Sequence, residues 1–289
     1  MLDFTKKFCY VHDFCKGFEN WWNKKLIIQG KKKRNRRGKL ELSEIVTILI
    51  MYHESGAKCF KSYYFQLLQY HRRDFPELVC YDRFIALIKR ALPAVILMFQ
   101  GLLGDITEIL FVDSTPYRVC HYTRRHKHKV FNKIAELSKN SQGWFYGMKL
   151  HLVLNAYGEI VKLLITPANV DDRKGLKQMM HGIKAKVFGD KGYLGKDFFR
   201  ELFEQGTQVI TKIKKKMKNS LMNTWDKFYL KRRSIIETIL SSIKSCKTFE
   251  HSRHRNVDNA FCHIITALIA YQLRSTKPSF IKRMKPLEQ

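Results

Sequence analysis

The chain has 289 residues, with 54 Lys and Arg against 25 Asp and Glu for a formal charge of +29, and 45% of its residues are apolar. The apolar share excludes a disordered tail or a purely basic arm, and the charge asks for a polyanionic partner. The length suits one or two domains with room for a large core, and an odd set of 7 scattered cysteines excludes a disulfide framework.

Two apolar runs stand out, 45–51 and 260–273, the second broken by His263 and Gln272. Both fall short of the ~18 residues of a bilayer span. The opening Met1-Leu2-Asp3-Phe4-Thr5-Lys6-Lys7-Phe8 has no basic region leading into an apolar stretch. The expectation is a cytoplasmic chain with no membrane contact.

In chain order, apolar periodicity predicts helices over 4–25, 43–52, 61–71 and 81–92, the last ended by Pro93, with helical character resuming over 94–103. Residues 1–100 therefore read as an all-helical domain. Between its first two helices lies Lys31-Lys32-Lys33-Arg34-Asn35-Arg36-Arg37-Gly38-Lys39, a cationic loop suited to phosphate contact.

From Ile109 the period changes. Residues 109–112 form a continuous apolar run of strand length that ends at Asp113-Ser114-Thr115-Pro116. Residues 145–155 and 159–166 read as a hairpin about Ala156-Tyr157-Gly158, and 169–181 as a helix opened by Asn169-Val170-Asp171-Asp172. A buried strand over 186–189 ends at Asp190, followed by a helix over 196–204, a strand over 208–213 and a helix over 229–247. This alternation predicts an α/β domain over 101–275, with 276–289 as a basic tail.

Two strands thus end in an Asp, and ligands of open α/β sheets gather at the carboxyl ends of strands. Asp113 and Asp190 are the first candidates, the second framed by Gly189 and Lys191-Gly192-Tyr193. On the 229–247 helix, Ile235, Ile236, Ile239, Leu240 and Ile243 span an arc of roughly 140°, with Arg233, Glu237 and Lys244 in one charged stripe beside it. From periodicity alone, Arg233 and Glu237 are equally an exposed helix-stabilising pair.

In that order, Asp113, Asp190 and Glu237, with Arg233, three residues, Glu237, six residues and Lys244, resemble the Asp-Asp-Glu site of insertion-sequence transposases. Val112-Asp113-Ser114-Thr115-Pro116, Gly147-Met148-Lys149-Leu150-His151, Ala168-Asn169-Val170-Asp171-Asp172 and Gly189-Asp190-Lys191-Gly192-Tyr193 resemble, more narrowly, insertion-sequence group nine-eight-two. One departure concerns the arginine: two residues separate Tyr229 from Arg232, the spacing usual in that group, and three separate it from Arg233.

The resemblance implies a ribonuclease-H-like mixed five-stranded sheet with flanking helices, preceded by a helical DNA-binding domain. It implies DNA transposition: cleavage at the element's ends, then joining of the 3′-OH to target DNA. Asp113, Asp190 and Glu237 would be catalytic and would hold two Mg²⁺ ions, with Mn²⁺ as a substitute, since hard cations prefer carboxylate oxygen. The partners implied are double-stranded DNA, as terminal inverted repeats and as target, and further copies of the chain in the DNA complex, at the nucleoid. A nuclease with the same site and an inactive DNA-binding remnant of a transposase are the alternatives.

Expected DNA contacts are Lys31, Lys32, Lys33, Arg34, Arg36 and Arg37 of the first basic run, Lys214, Lys215 and Lys216 of the second, and Arg233 and Lys244. Lys149 and His151, two apart on a strand and so on one face, are expected beside the site as further DNA contacts, with a structural role as the alternative. Asp171 and Asp172 are expected to cap a helix rather than bind metal.

Overall fold

The computed structural model describes residues 4–30, 38–212, 222–244, 249–250 and 253–280. The chain divides into two compact units, one formed by Met1–Leu102 with Ile243–Ser275 and the other by Leu103–Ser242 with Thr276–Gln289.

The first unit is helical among its described residues: α1 (Phe4–Ile28), α2 (Leu42–Tyr52), α3 (Phe60–Tyr70), α4 (Tyr81–Ile88), α5 (Leu92–Gly101) and, from the far end of the chain, α10 (Val257–Gln272). Helix α2 starts at a capping box in which Glu41 and Glu44 satisfy each other's backbone N–H groups. Helix α10 is buried nearly all round, so it needs neighbours on every side, and it packs against α5 and α2. Its ends are tied by side-chain amides, Asn259 donating to the Ile85 carbonyl (3.0 Å) and Gln272 to that of Leu102 (2.6 Å).

Pro93 falls in the first turn of α5, where its missing N–H costs nothing, so the chain turns through Lys89–Ala91 and stays helical. The resulting run, Tyr81–Gly101, is long and apolar enough by length and composition to cross a bilayer, which the shorter apolar runs do not suggest. Here Phe84, Ala91, Val95 and Met98 are buried and α5 packs on α10.

The second unit holds a mixed sheet of β1 (Ile109–Cys120), β2 (Glu136–Asn140), β3 (Gly143–Asn155), β4 (Ile160–Pro167), β5 (Lys186–Gly189) and β6 (Gln208–Thr211). The order is β2-β3-β1-β5-β6, with β4 also paired to β3. Strand β1 runs antiparallel to β3 along most of its length, while β5 is parallel to β1 and β6 parallel to β5. Among the described residues the sheet therefore has six strands rather than the five expected: β2, Glu-Leu-Ser-Lys-Asn, is too polar to show a strand pattern and is held by pairing with β3.

Helices α6 (Asp172–Met180), α7 (Lys196–Glu204), α8 (Thr224–Arg232) and α9 (Ser234–Ile243) accompany the sheet. One core gathers Leu110 and Val112 of β1, Val153, Val187, and Leu176, Met179 and Met180 of α6. Phe111, pointing the other way along β1, stacks on Phe280 at 3.5 Å between centroids and on Phe188 at 5.5 Å. Phe280 also donates its N–H to the Ala156 carbonyl, so the stretch read as a basic tail begins as part of this unit.

Candidate active site

Strand β1 continues past Asp113 to Cys120, so Asp113 does not end the strand as its Pro116-bearing flank suggests. It sits where β1 loses one neighbour. The parallel pairing with β5 runs Ile109↔Lys186, Leu110↔Val187, Phe111↔Phe188 and stops. Carried two residues further, the same offset sets Asp113 beside Asp190, the residue after β5. Two adjacent parallel strands thus deliver two carboxylates to one point at their carboxyl ends.

The third carboxylate comes from α9. Of the predicted apolar arc Ile236, Ile239, Leu240 and Ile243 are buried and Ile235 is half-buried, while Glu237 beside it is exposed. Arg233, at the junction of α8 and α9, turns its guanidinium to all three acids: Nη1 lies 3.5 Å from Asp113 Oδ2, and Nη2 lies 3.6 Å from Asp190 Oδ1 and 3.5 Å from Glu237 Oε1. The guanidinium is nearly enclosed, with 12% of its side chain exposed, whereas Asp190 and Glu237 are 55% and 66% exposed. Access to the cluster is therefore from the Asp190 and Glu237 side.

Burial pushes the Asp113 carboxyl up to about 6, against the pull of Arg233 and of the Ser114 N–H, which donates to Oδ1 at 2.9 Å. Asp190 and Glu237 add to the upward push, as like charges do. Among the described residues no three His, Cys, Asp or Glu side chains already form a metal-holding group. The three acids are nonetheless an all-oxygen donor set drawn to one cation, a chemistry that fits a hard divalent ion.

The two arginines separate cleanly. Arg232 donates to the Phe280 carbonyl at 2.8 Å and lies over the Phe228 ring at 4.6 Å, so that of the two it is Arg233 that meets the carboxylates.

Lys149 and His151 do share a face, but it is an enclosed one. Lys149 donates to the Val170 carbonyl (2.9 Å) and to Asp172 (3.0 Å). His151 is fully buried; its Nε2 meets the Thr166 hydroxyl at 2.9 Å, its Nδ1 is 3.9 Å from Asp172, and burial lowers its pKa. Neither side chain is turned to solvent, because α6 covers this face; a Cβ at Gly175 would come within 3.1 Å of the His151 ring. Asp171 is the N-cap of α6, accepting from the Arg173 N–H at 2.8 Å, and the Arg173 side chain holds its carboxyl down at about 2.

Gly189, which precedes Asp190, makes room for Tyr193, whose ring would lie 2.9 Å from an added Cβ. In the sequence Tyr193 stands out only as the end of the Gly189-Asp190-Lys191-Gly192-Tyr193 segment, and its packing on Gly189 requires the fold. Lys244 pairs with Glu250. Lys31, Lys32, Lys33, Arg34, Arg36, Arg37, Lys214, Lys215 and Lys216 lie outside the described residues.

Residues 103–257, more than half of the chain, match the Transposase DDE domain family. The chain belongs to that family, and so is a transposase, an enzyme that acts on DNA.

Proposed function

We propose that this protein moves an insertion sequence of group nine-eight-two, cutting DNA at the element's ends and joining the freed 3′-OH to target DNA, with Asp113, Asp190 and Glu237 as its catalytic carboxylates. The observation that carries the reading is the convergence of these three acids on Arg233 at the end of the β1–β5 pair. An antiparallel β-hairpin leading into a parallel β1-β5-β6 set supports a ribonuclease-H-like core.

The three carboxylates would hold two divalent ions, Mg²⁺ or Mn²⁺. Bound there, they would supply charge neutralisation at the scissile phosphate and a more acidic attacking water or hydroxyl. Asp113, whose carboxyl sits near 6, is ionised and able to bind at pH 7 to 8. Arg233 keeps the acids together against their mutual repulsion and offers a two-pronged donor to phosphate once DNA arrives. Lys214, Lys215 and Lys216 and the 31–37 run draw the backbone toward acids that would otherwise repel it. The helical region 1–100 grips the element's ends, and copies of the chain pair two ends at the nucleoid.

The test is strand cleavage of a plasmid carrying the element's termini, with Asp113→Asn, Asp190→Asn and Glu237→Gln. Each variant is expected to lose cleavage by at least about 100-fold, a loss of ~3 kcal/mol of transition-state stabilisation, while holding duplex DNA as before. Loss of binding along with cleavage would assign these acids to folding. Cleavage by the unaltered chain without joining would favour the nuclease.

A further inference from the structure

Outside the residues matched to the family, the helical unit carries a groove of about 610 Å³ between the 38–40 segment, the turn after α3 and the face of α4. Of its apolar lining, Leu40, Leu78 and Leu87 are buried. Lys39, Arg72, Arg83 and Arg90 also line it, all exposed, against one acid, Glu77.

No described residue forms an ion pair or side-chain hydrogen bond with any of these four cations. Lys177 pairs with Glu201 and Arg173 with Asp171, but with 54 Lys and Arg against 25 Asp and Glu most cations of this chain have no acid to take, and what sets these four apart is that they surround one concavity. Four like charges collected around one concavity repel one another unless an anion joins them. Three are arginines, whose planar forks match phosphate oxygens two at a time. Arg83 and Arg90, seven residues apart along one helical run, are separated by about 10 Å, or roughly three base-pair steps of duplex. The groove is a cleft with solvent-facing walls, suited to an extended polyanion.

We infer that this groove is a duplex-DNA site in which Arg72, Arg83 and Arg90, with Lys39, hold the phosphate backbone. The inference rests on the reading that the chain acts on DNA, and adds a surface that the charge runs of the sequence do not contain. Arg72, Arg83 and Arg90 are scattered singly along the chain, and only the folding of the turn after α3 against α4 collects them.

The test is fluorescence anisotropy of the full chain with a labelled duplex in EDTA, where no strand is cut, over a range of NaCl. Arg72→Ala/Arg83→Ala/Arg90→Ala, checked for fold by circular dichroism, is expected to weaken binding and to flatten log K against log salt by about 2 to 3, at roughly 0.9 for each phosphate that is no longer neutralised. The Lys-for-Arg triple variant should keep most of the slope. Glu77→Lys is expected to tighten binding and steepen the slope by about 1. Equal slopes for the unaltered chain, the folded triple-Ala variant and Glu77→Lys would overturn the groove as a DNA site; should triple-Ala not fold, an unmoved slope in Glu77→Lys does so alone. If the unaltered chain binds no duplex at all, the DNA reading fails, and the groove falls with it for a different and recognisable reason.

Discussion

Arg233 holds its guanidinium 3.5 Å from the Asp113 carboxylate, and the same guanidinium is the meeting point of Asp190 and Glu237. The relation joins a strand interior to a helix start, 120 residues apart in sequence. It explains how a carboxyl as buried as that of Asp113 stays near 6 rather than rising further.

Replacing Arg233 by Gln should therefore cost stability in a pH-dependent way. At pH 8 Asp113 is ionised and loses its counter-ion, with an expected loss between the ~1 kcal/mol of an exposed pair and the ~3 kcal/mol of a buried one. At pH 5 the Asp113 carboxyl, with its pKa at about 6, is largely protonated in the folded chain and the loss should shrink. Urea denaturation at both pH values measures this. Equal losses would mean that Arg233 acts through packing alone.

Gly147 makes a second prediction. A Cβ there would sit 2.0 Å from the Tyr117 carbonyl oxygen across the β1–β3 pair, and backbone cannot yield as a side-chain tip can. Gly147→Ala should cost about 3 kcal/mol or more by overpacking. A shift in urea midpoint below that expected for ~1 kcal/mol would show that the strands part freely at this point.

Much of this is legible in the sequence, and what is not has identifiable causes. The run 186–189 ends at Asp190 because a short apolar strand between turns has few other readings, and α7 is bounded correctly at Lys196–Glu204. Pro116 reads as a stop, which cuts β1 short at Asp113. Among the described residues the β1–β5 ladder stops at Phe111, so Pro116 lies beyond it, at a position where a residue lacking an N–H costs that ladder nothing. Asp113 and Asp190 stand out singly, but their shared register requires the pairing. Side-chain alternation rightly gives Lys149 and His151 one face, and which face α6 covers depends on the chain crossover, which alternation does not encode.

A third prediction concerns acid. His53 and His254 flank the His263 ring, at 4.7 and 5.2 Å between centroids, and burial depresses them to about 3 and about 4. Their unfolded-state value is near 6.5, so below that pH the unfolded chain takes up protons that the folded one refuses. Stability should be flat with respect to these groups above pH 7 and fall as pH drops from 6.5 toward 4, at up to ~1.4 kcal/mol per pH unit for each histidine. Urea titrations across that range should show the slope, and His254→Gln should remove part of it. A stability profile identical for His254→Gln and the unaltered chain would dismiss the mechanism.

The last prediction separates the two arginines that the spacing after Tyr229 leaves in competition. Arg232 donates to the Phe280 carbonyl, and Phe280 stacks on Phe111. Its side chain therefore fastens residues 276–280 to the sheet unit, and its truncation loses a charge-assisted hydrogen bond worth roughly 1.5 to 3 kcal/mol. Arg232→Ala should lower the melting temperature and open the chain near residue 280 to protease. Because Arg232 touches none of Asp113, Asp190 or Glu237, cleavage measured well below the melting temperature should stay within about 3-fold, under ~1 kcal/mol of barrier. Arg233→Ala should do the reverse, leaving Phe280 docked and protected while cleavage falls by about 100-fold or more, since the guanidinium that gathers the acids is gone. If Arg232→Ala is instead the variant that stops cleavage with Phe280 still protected, the arginine two residues after Tyr229 and not the one three residues after it serves the reaction, and the guanidinium seen among the carboxylates is a structural tie.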